Sequence, residues 1–164
     1  GALELGYLLD YKKFRGWIRQ KFGVSKAYLF LGLIPKHTKL YQHLQECGFV
    51  LIFKETTTDL DGRVKGNCDA ELVLKAVSDH YERLCDGYIL VSGDGDFRCL
   101  VDFLQERDVP ITIAAPNKGK CSILLKRTNA PLLNLAEHVH KFSGGTPKNE
   151  KAPGTDVSVQ GSFS

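Results

Sequence analysis

Apolar residues along the chain follow two rhythms. Strand-length apolar runs occupy residues 3–10 (LELGYLLD), 26–33 (KAYLFLGL), 49–55 (FVLIFKE), 87–92 (GYILVS) and 109–115 (VPITIAA). Between them apolar positions recur three and four apart: Phe14, Trp17, Ile18 and Phe22 over 11–22, Leu40 and Leu44 over 36–47, and Leu72, Val73, Ala76, Val77, Tyr81 and Leu84 over 68–85. The first rhythm predicts strands buried on both faces, and the second predicts amphipathic helices. Further helical segments are expected over 97–107, in a short turn at 123–128, and over 131–142, where Pro131 suits a first helical turn. Gly48 is placed to stop the second helix, and the polar, glycine-bearing stretch 56–67 reads as a loop.

Five apolar strands separated by helical segments specify an α/β class, a three-layer α/β/α domain around a central, mainly parallel five-stranded sheet. A chain of 164 residues is the size of one ordinary domain, which we assign to residues 1–142. Residues 143–164, rich in Gly, Pro and Ser, read as a flexible tail or fusion remnant.

Charge and cysteine usage narrow the class. The formal charge is +3, and Lys148 and Lys151 balance Glu150 and Asp156 in the tail, so the excess lies on the body and leans toward a polyanionic partner. Cys47, Cys68, Cys85, Cys99 and Cys121 are widely spaced with no CxxC pair, against a disulfide framework or a zinc site and in favour of a reducing compartment. No apolar run reaches membrane-spanning length and the first residues lack the build of a signal peptide, so the expected location is cytoplasmic.

The acids carry the chemistry. Asp10 closes the first apolar run, VSGDGDF (91–97) sets Asp94 and Asp96 around a glycine after the fourth, and Asp69 opens the long helix before it. In a parallel sheet the loops after the strand ends share one edge, and sites form where the strand order reverses. With the first and fourth strands as neighbours, Asp10, Asp69, Asp94 and Asp96 converge on one crevice. Their mutual repulsion and desolvation call for a cation, and hard oxygen donors favour Mg²⁺ or Mn²⁺. Such metals activate water and stabilise the charge that builds on a phosphodiester, which is the chemistry of a nuclease.

Plainer roles stand beside each of these. Asp94 fits an ordinary Gly-Asp-Gly turn, Asp96 fits an N-cap for a helix from Phe97, and Asp69 fits the positive end of its own helix. Asn67 is a cap for a helix from Cys68 or an orienter of a carboxylate, and Ser92 and Ser122 are caps or turn residues before they are phosphate ligands. The histidines show no spacing that suggests a metal cage. A haloacid-type phosphatase, the small-substrate alternative, wants a second Asp two residues after the nucleophile, whereas Lys12 follows Asp10.

Basic residues flank the acids at Lys12, Lys13 and Arg15, at Arg63 and Lys65, and at Lys118, Lys120, Lys126 and Arg127. Around a metal centre they form a track for phosphates, with Lys13, Lys65, Lys118 and Lys120 as candidate contacts. Tyr11 is the candidate for stacking on an unpaired base, while the helical spacing of Phe14 and Trp17 points to core packing.

The order LLDYKKF, KGNCDAELVLKA, YILVSGDGDFRCLVDFLQERDVPITIAA and KCSILLKRTNAPLLNL resembles the NYN domains of the LabA-like group, relatives of the PIN-domain ribonucleases, over residues 5 to 142. The resemblance implies a PIN-like fold, RNA as substrate or partner with other single-stranded nucleic acid as the alternative, Mg²⁺ or Mn²⁺ as cofactor, and a homodimer. It assigns Asp10, Asp69, Asp94 and Asp96 to the acidic site, and matches Ser92 and Ser122 to its hydroxyl positions. Two departures from the family pattern are Lys13, where an Asn is common, and Lys75 and Ala76, where many members carry a further acid; Glu71 lies on a different helical face. They keep open a second reading, a catalytically inactive RNA-binding or regulatory module of the same fold.

Overall fold

The computed structural model describes residues 9–55, 57–58, 64–65, 68–144 and 158–163. Helix α1 (Tyr11–Phe22) starts where the Asp10 side chain accepts from the Lys13 amide, and it stops at Gly23, whose φ of 68° admits the left-handed C-cap. Its Phe14 and Ile18 are buried. Strand β1 (Val24–Gly32) leads through a 3-10 turn to α2 (Thr38–Glu46), then β2 (Val50–Lys54). Gly48, at φ 88°, makes the turn between α2 and β2 as its position predicts.

Two short strands, β3 (Thr57–Thr58) and β4 (Val64–Lys65), pair antiparallel as a separate ribbon within the stretch read as a loop. The long helix α3 (Asp69–Tyr81), β5 (Gly87–Val91), α4 (Arg98–Gln105), β6 (Ile111–Ala115) and the short α5 (Ile123–Lys126) follow.

The main sheet has the order β2-β1-β8-β5-β6-β7, where β7 is Leu132–Asn134 and β8 is Ser158–Phe163. β1 and β2 pair in parallel, as do β5, β6 and β7, and β8 runs antiparallel between β1 and β5. The three-layer α/β class therefore holds, with six strands in the main sheet instead of five.

Alternation along the strands divides the core. Leu29, Leu31, Ile89 and Val91 face α1 and α2, whereas Tyr28, Phe30, Tyr88 and Leu90 face α3 and α4. Both sides of β1 and β5 are thus buried, which is why their sequences read as unbroken apolar runs.

Two elements depart from the sequence reading. Residues 131–142 form β7 and a 3-10 segment, Leu135–Lys141, in place of one helix. Pro131 accepts from the Ile113 amide at 2.9 Å, and the Leu132 to Asn134 stretch pairs with the edge of β6, so ladder bonds outweigh helical propensity there. Within the stretch read as a tail, Ser158–Phe163 fills the slot between β1 and β5, where two parallel strands leave facing rows of donors and acceptors for a third. The apolar run 3–10 is the strand expected beside the fourth; residues 1–8 lie outside the described residues, and Leu9 makes an isolated antiparallel bridge with Ser143. No helix among the described residues is long and apolar enough to cross a membrane.

Candidate metal and nucleic-acid site

At the carboxyl end of β5 the buried strand gives way to Ser92, Gly93 and Asp94. The hydroxyl of Ser92, a residue only 3% exposed, accepts from the Asp94 amide at 3.1 Å, and Asp94 Oδ1 accepts from the Asp96 amide at 3.0 Å. Asp94 thereby caps the 3-10 turn Gly95–Phe97 that leads into α4. The capping role considered for Asp96 belongs to Asp94, because the helical turn starts one residue pair earlier than the apolar pattern suggests.

The glycines of this loop serve close approach. Neither Gly93 nor Gly95 is at positive φ. A Cβ on Gly93 would meet Cys121 Cα at 3.4 Å, and one on Gly95 would meet Ser122 Oγ at 2.5 Å. The loop after β6 lies directly against it: the Ser122 amide donates to Gly93 O at 2.9 Å, and Ser122 Oγ accepts from the Leu124 amide to cap α5. Burial raises the pKa of the Cys121 thiol, which keeps it a packing group and leaves oxygen as the donor chemistry of the site.

Asp69 enters from the first residue of α3. Single carboxylate oxygens of Asp69, Asp94 and Asp96 all lie within 4.8 Å of one another, with Asp69 half-buried and the other two exposed. Three hard anionic donors that close, with no thiolate or imidazole among them, suit a Mg²⁺ or Mn²⁺ ion on donor chemistry.

The sequence matches the NYN domain profile over residues 3–135. The chain belongs to the NYN domain family. The family has a PIN-like nuclease fold and implies nucleic acid as the partner. A crystal structure of a protein of unknown function from Vibrio parahaemolyticus is similar to this NYN chain, with 26% identity, a TM-score of 0.67, and coverage of 85% of this chain and 84% of that one. No curated protein matches.

Not every expected residue joins the NYN acidic cluster. Asp10 is not one of the three acids whose oxygens lie within 4.8 Å of one another: one of its oxygens accepts from the Lys13 amide at 2.9 Å and the other lies 3.7 Å from the Lys13 ammonium, which also donates to Ser143 O. The closing acid of the first apolar run is a helix cap here, because helix α1 begins at the next residue. Tyr11, half-buried, packs edge-on against Phe49 at the margin of the core, and burial raises its hydroxyl pKa. Arg15 is likewise structural, donating to Gly48 O, Val24 O and Ser25 O.

Lys118 and Lys120 are exposed on the loop before Ser122. The Lys118 amide donates to Asn134 Oδ1, and Asn117 O accepts from the Lys120 and Cys121 amides. Lys65 lies in β4 and its side chain falls outside the described residues, as does all of Asn67. Glu71, the alternative helix acid, is engaged by Lys54 at 2.9 Å, and that hydrogen bond holds its carboxyl below the usual range. Asn134, which ties down the basic loop, and the Gly95–Ser122 contact were not legible in advance; the Ser-Gly-Asp-Gly pattern marks a turn but not what presses on it.

Proposed function

We propose that this NYN domain is a Mg²⁺- or Mn²⁺-dependent ribonuclease of the LabA-like type. The observation that carries the reading is the convergence of the Asp69, Asp94 and Asp96 carboxylates at the carboxyl edge of the sheet in a chain of this family. Asp69, Asp94 and Asp96 would hold the cation. A divalent ion there supplies neutralisation of the charge building on phosphorus and a more acidic water. Asp94 is oriented by its bonds to the Asp96 amide and, through its own amide, to Ser92, so its carboxylate is preset before substrate arrives. Lys118 and Lys120 bind flanking phosphates of the RNA backbone. Hydrolysis adds water across one P–O bond, leaving one product with a terminal phosphate and the other with a hydroxyl.

The test is cleavage of an unstructured RNA by purified protein with Mn²⁺, against Asp94→Asn and against excess chelator. Cleavage abolished by both is the expected result; equal cleavage in all three samples sinks the metal-dependent reading. A specific observation favours the second reading, an RNA-binding module without turnover. The α3 positions that would enlarge the acidic site are committed elsewhere, Glu71 to Lys54 and Lys75 to the buried Asp79. RNA bound in a gel shift but intact after prolonged incubation with Mn²⁺ selects that alternative.

A further inference from the structure

Helix α5 begins with three consecutive aliphatic residues, Ile123, Leu124 and Leu125, and only Leu125 is buried. Ile123 and Leu124 remain 57% and 40% exposed. Isolated exposed aliphatics are ordinary. These two are adjacent, and Leu124 lies against the acidic loop: a Cβ on Gly95, the residue between Asp94 and Asp96, would sit 3.2 Å from Leu124 Cδ1.

The pair is also held in place. Ser122 caps the turn through the Leu124 amide and is bonded to Gly93 O, while Leu125 is anchored in the core with Phe97 and Leu100. Exposed Lys118 and Lys120 precede it along the chain, and exposed Lys126 and Arg127 follow. Along the chain the aliphatic pair is therefore flanked by exposed cations on both sides, with the acidic loop against Leu124. Cationic groups complement a run of phosphates, and an aliphatic surface between them complements the flat face of a base. In a duplex that face is covered by stacking; only an unpaired nucleotide can offer it.

We propose that Ile123 and Leu124 form an aliphatic ledge that packs against one unpaired nucleobase beside the phosphate at the acidic cluster, and so select single-stranded nucleic acid. The inference rests on the nuclease-type reading for where the phosphates run. The contact has no hydrogen-bonding group from either side chain, so it distinguishes bases only by size, with purines favoured over pyrimidines.

Fluorescence anisotropy with a labelled unstructured oligoribonucleotide, in EDTA to prevent cleavage, tests the ledge. Wild type and the Ile123→Ala/Leu124→Ala double variant are titrated with the intact oligonucleotide and with versions carrying one abasic nucleotide at each position in turn. Wild type is expected to lose about tenfold in affinity when the abasic position falls on the ledge, from the apolar area left uncovered. The double variant is expected to bind the intact oligonucleotide about tenfold more weakly and to show no further abasic penalty. An unchanged thermal melt establishes that it is folded.

If the variant binds the intact strand as tightly as wild type, or keeps the full abasic penalty, the ledge is wrong; unchanged RNA binding is also the result expected of a protein-docking patch. If wild type binds no oligonucleotide at all, with or without Mn²⁺, the nucleic-acid reading itself falls and takes the ledge with it. That second failure is distinguishable from the first, in which RNA still binds.

Discussion

Asp10 and Asp94 do the same local job at the start of two helical turns, and their surroundings make them different residues. Each carboxylate accepts from a backbone amide, Lys13 at 2.9 Å and Asp96 at 3.0 Å respectively. Around Asp10 the spare oxygen is met by the Lys13 ammonium, and within the same helix a Cβ on Gly16 would touch nothing within 4 Å. Around Asp94 the backbone is pressed from outside by Ser122 and Cys121, and two further carboxylates, Asp69 and Asp96, are drawn close. A cap satisfies a helix end wherever it occurs. A capped aspartate becomes a candidate ligand only when tertiary packing brings other acids to it.

Substitution at the two sites separates these roles. The largest effect is expected from Asp94→Asn, because Asn caps as well as Asp but lacks the charge. Cation affinity and RNA cleavage should fall about 100-fold or more, since loss of a residue that merely supports a ligand already costs on the order of 10- to 100-fold. Isothermal titration with Mn²⁺ checks the first and the RNA assay the second, while the melting temperature should scarcely move.

Gly95→Ala comes next. Its Cβ would meet Ser122 Oγ at 2.5 Å, so the two loops must part, with an expected loss of about 1–3 kcal/mol in a denaturant melt and weaker Mn²⁺ binding. Gly93→Ala, with its nearest contact at 3.4 Å, should be far milder, and equal damage from both would show that packing of the loop is not what holds the acids together.

On the other side of the comparison, Asp10→Ala should cost about 1 kcal/mol through the lost cap, Asp10→Asn should recover most of it, and Mn²⁺ binding should be unchanged in both. A collapse of Mn²⁺ affinity in Asp10→Asn, matching that in Asp94→Asn, would break the distinction and return Asp10 to the acidic site. Gly16→Ala, in open space within α1, should stabilise the protein by up to about 1 kcal/mol, read as a higher urea midpoint.

The smallest effect is pH-dependent. Hydrogen bonding from Lys54 holds the Glu71 carboxyl low, so its contribution to stability is present above the ordinary glutamate range and is lost as pH falls through the lowered value. Both side chains are about a third exposed, which limits the term to less than about 1 kcal/mol. Glu71→Gln should flatten the acid limb of the stability profile by that amount and leave neutral-pH cation binding alone.

Much of the architecture is legible in the sequence. The unbroken apolar runs of β1, β5 and β6 announce strands covered on both faces, and Phe14 and Ile18 four apart announce the buried side of α1. Asp69 at the start of α3 and Asp94 and Asp96 after β5 were legible too, because strand-then-acid and acid-then-helix are local patterns. Less legible was the region after Arg127. Leu132 and Leu133 satisfy helical and strand rhythms equally, and only the waiting edge of β6 decides between them. Gln160 and Gly161 gave no sign of a strand, since nothing local in SVQGSF asks for the slot between β1 and β5.

What the sequence by itself determined is therefore the class of the fold, the principal strands and helices, and three acids at the ends of elements that can share one edge. Those properties depend on neighbours a few residues away. Tertiary structure alone decided which acids meet, that Gly95 must be bare because Ser122 stands 2.5 Å from its missing Cβ, that Tyr11 packs on Phe49, and that the Leu124 side chain of α5 ends against the acidic loop. Distances between residues dozens of positions apart are set by packing of whole elements, and no local pattern carries that information.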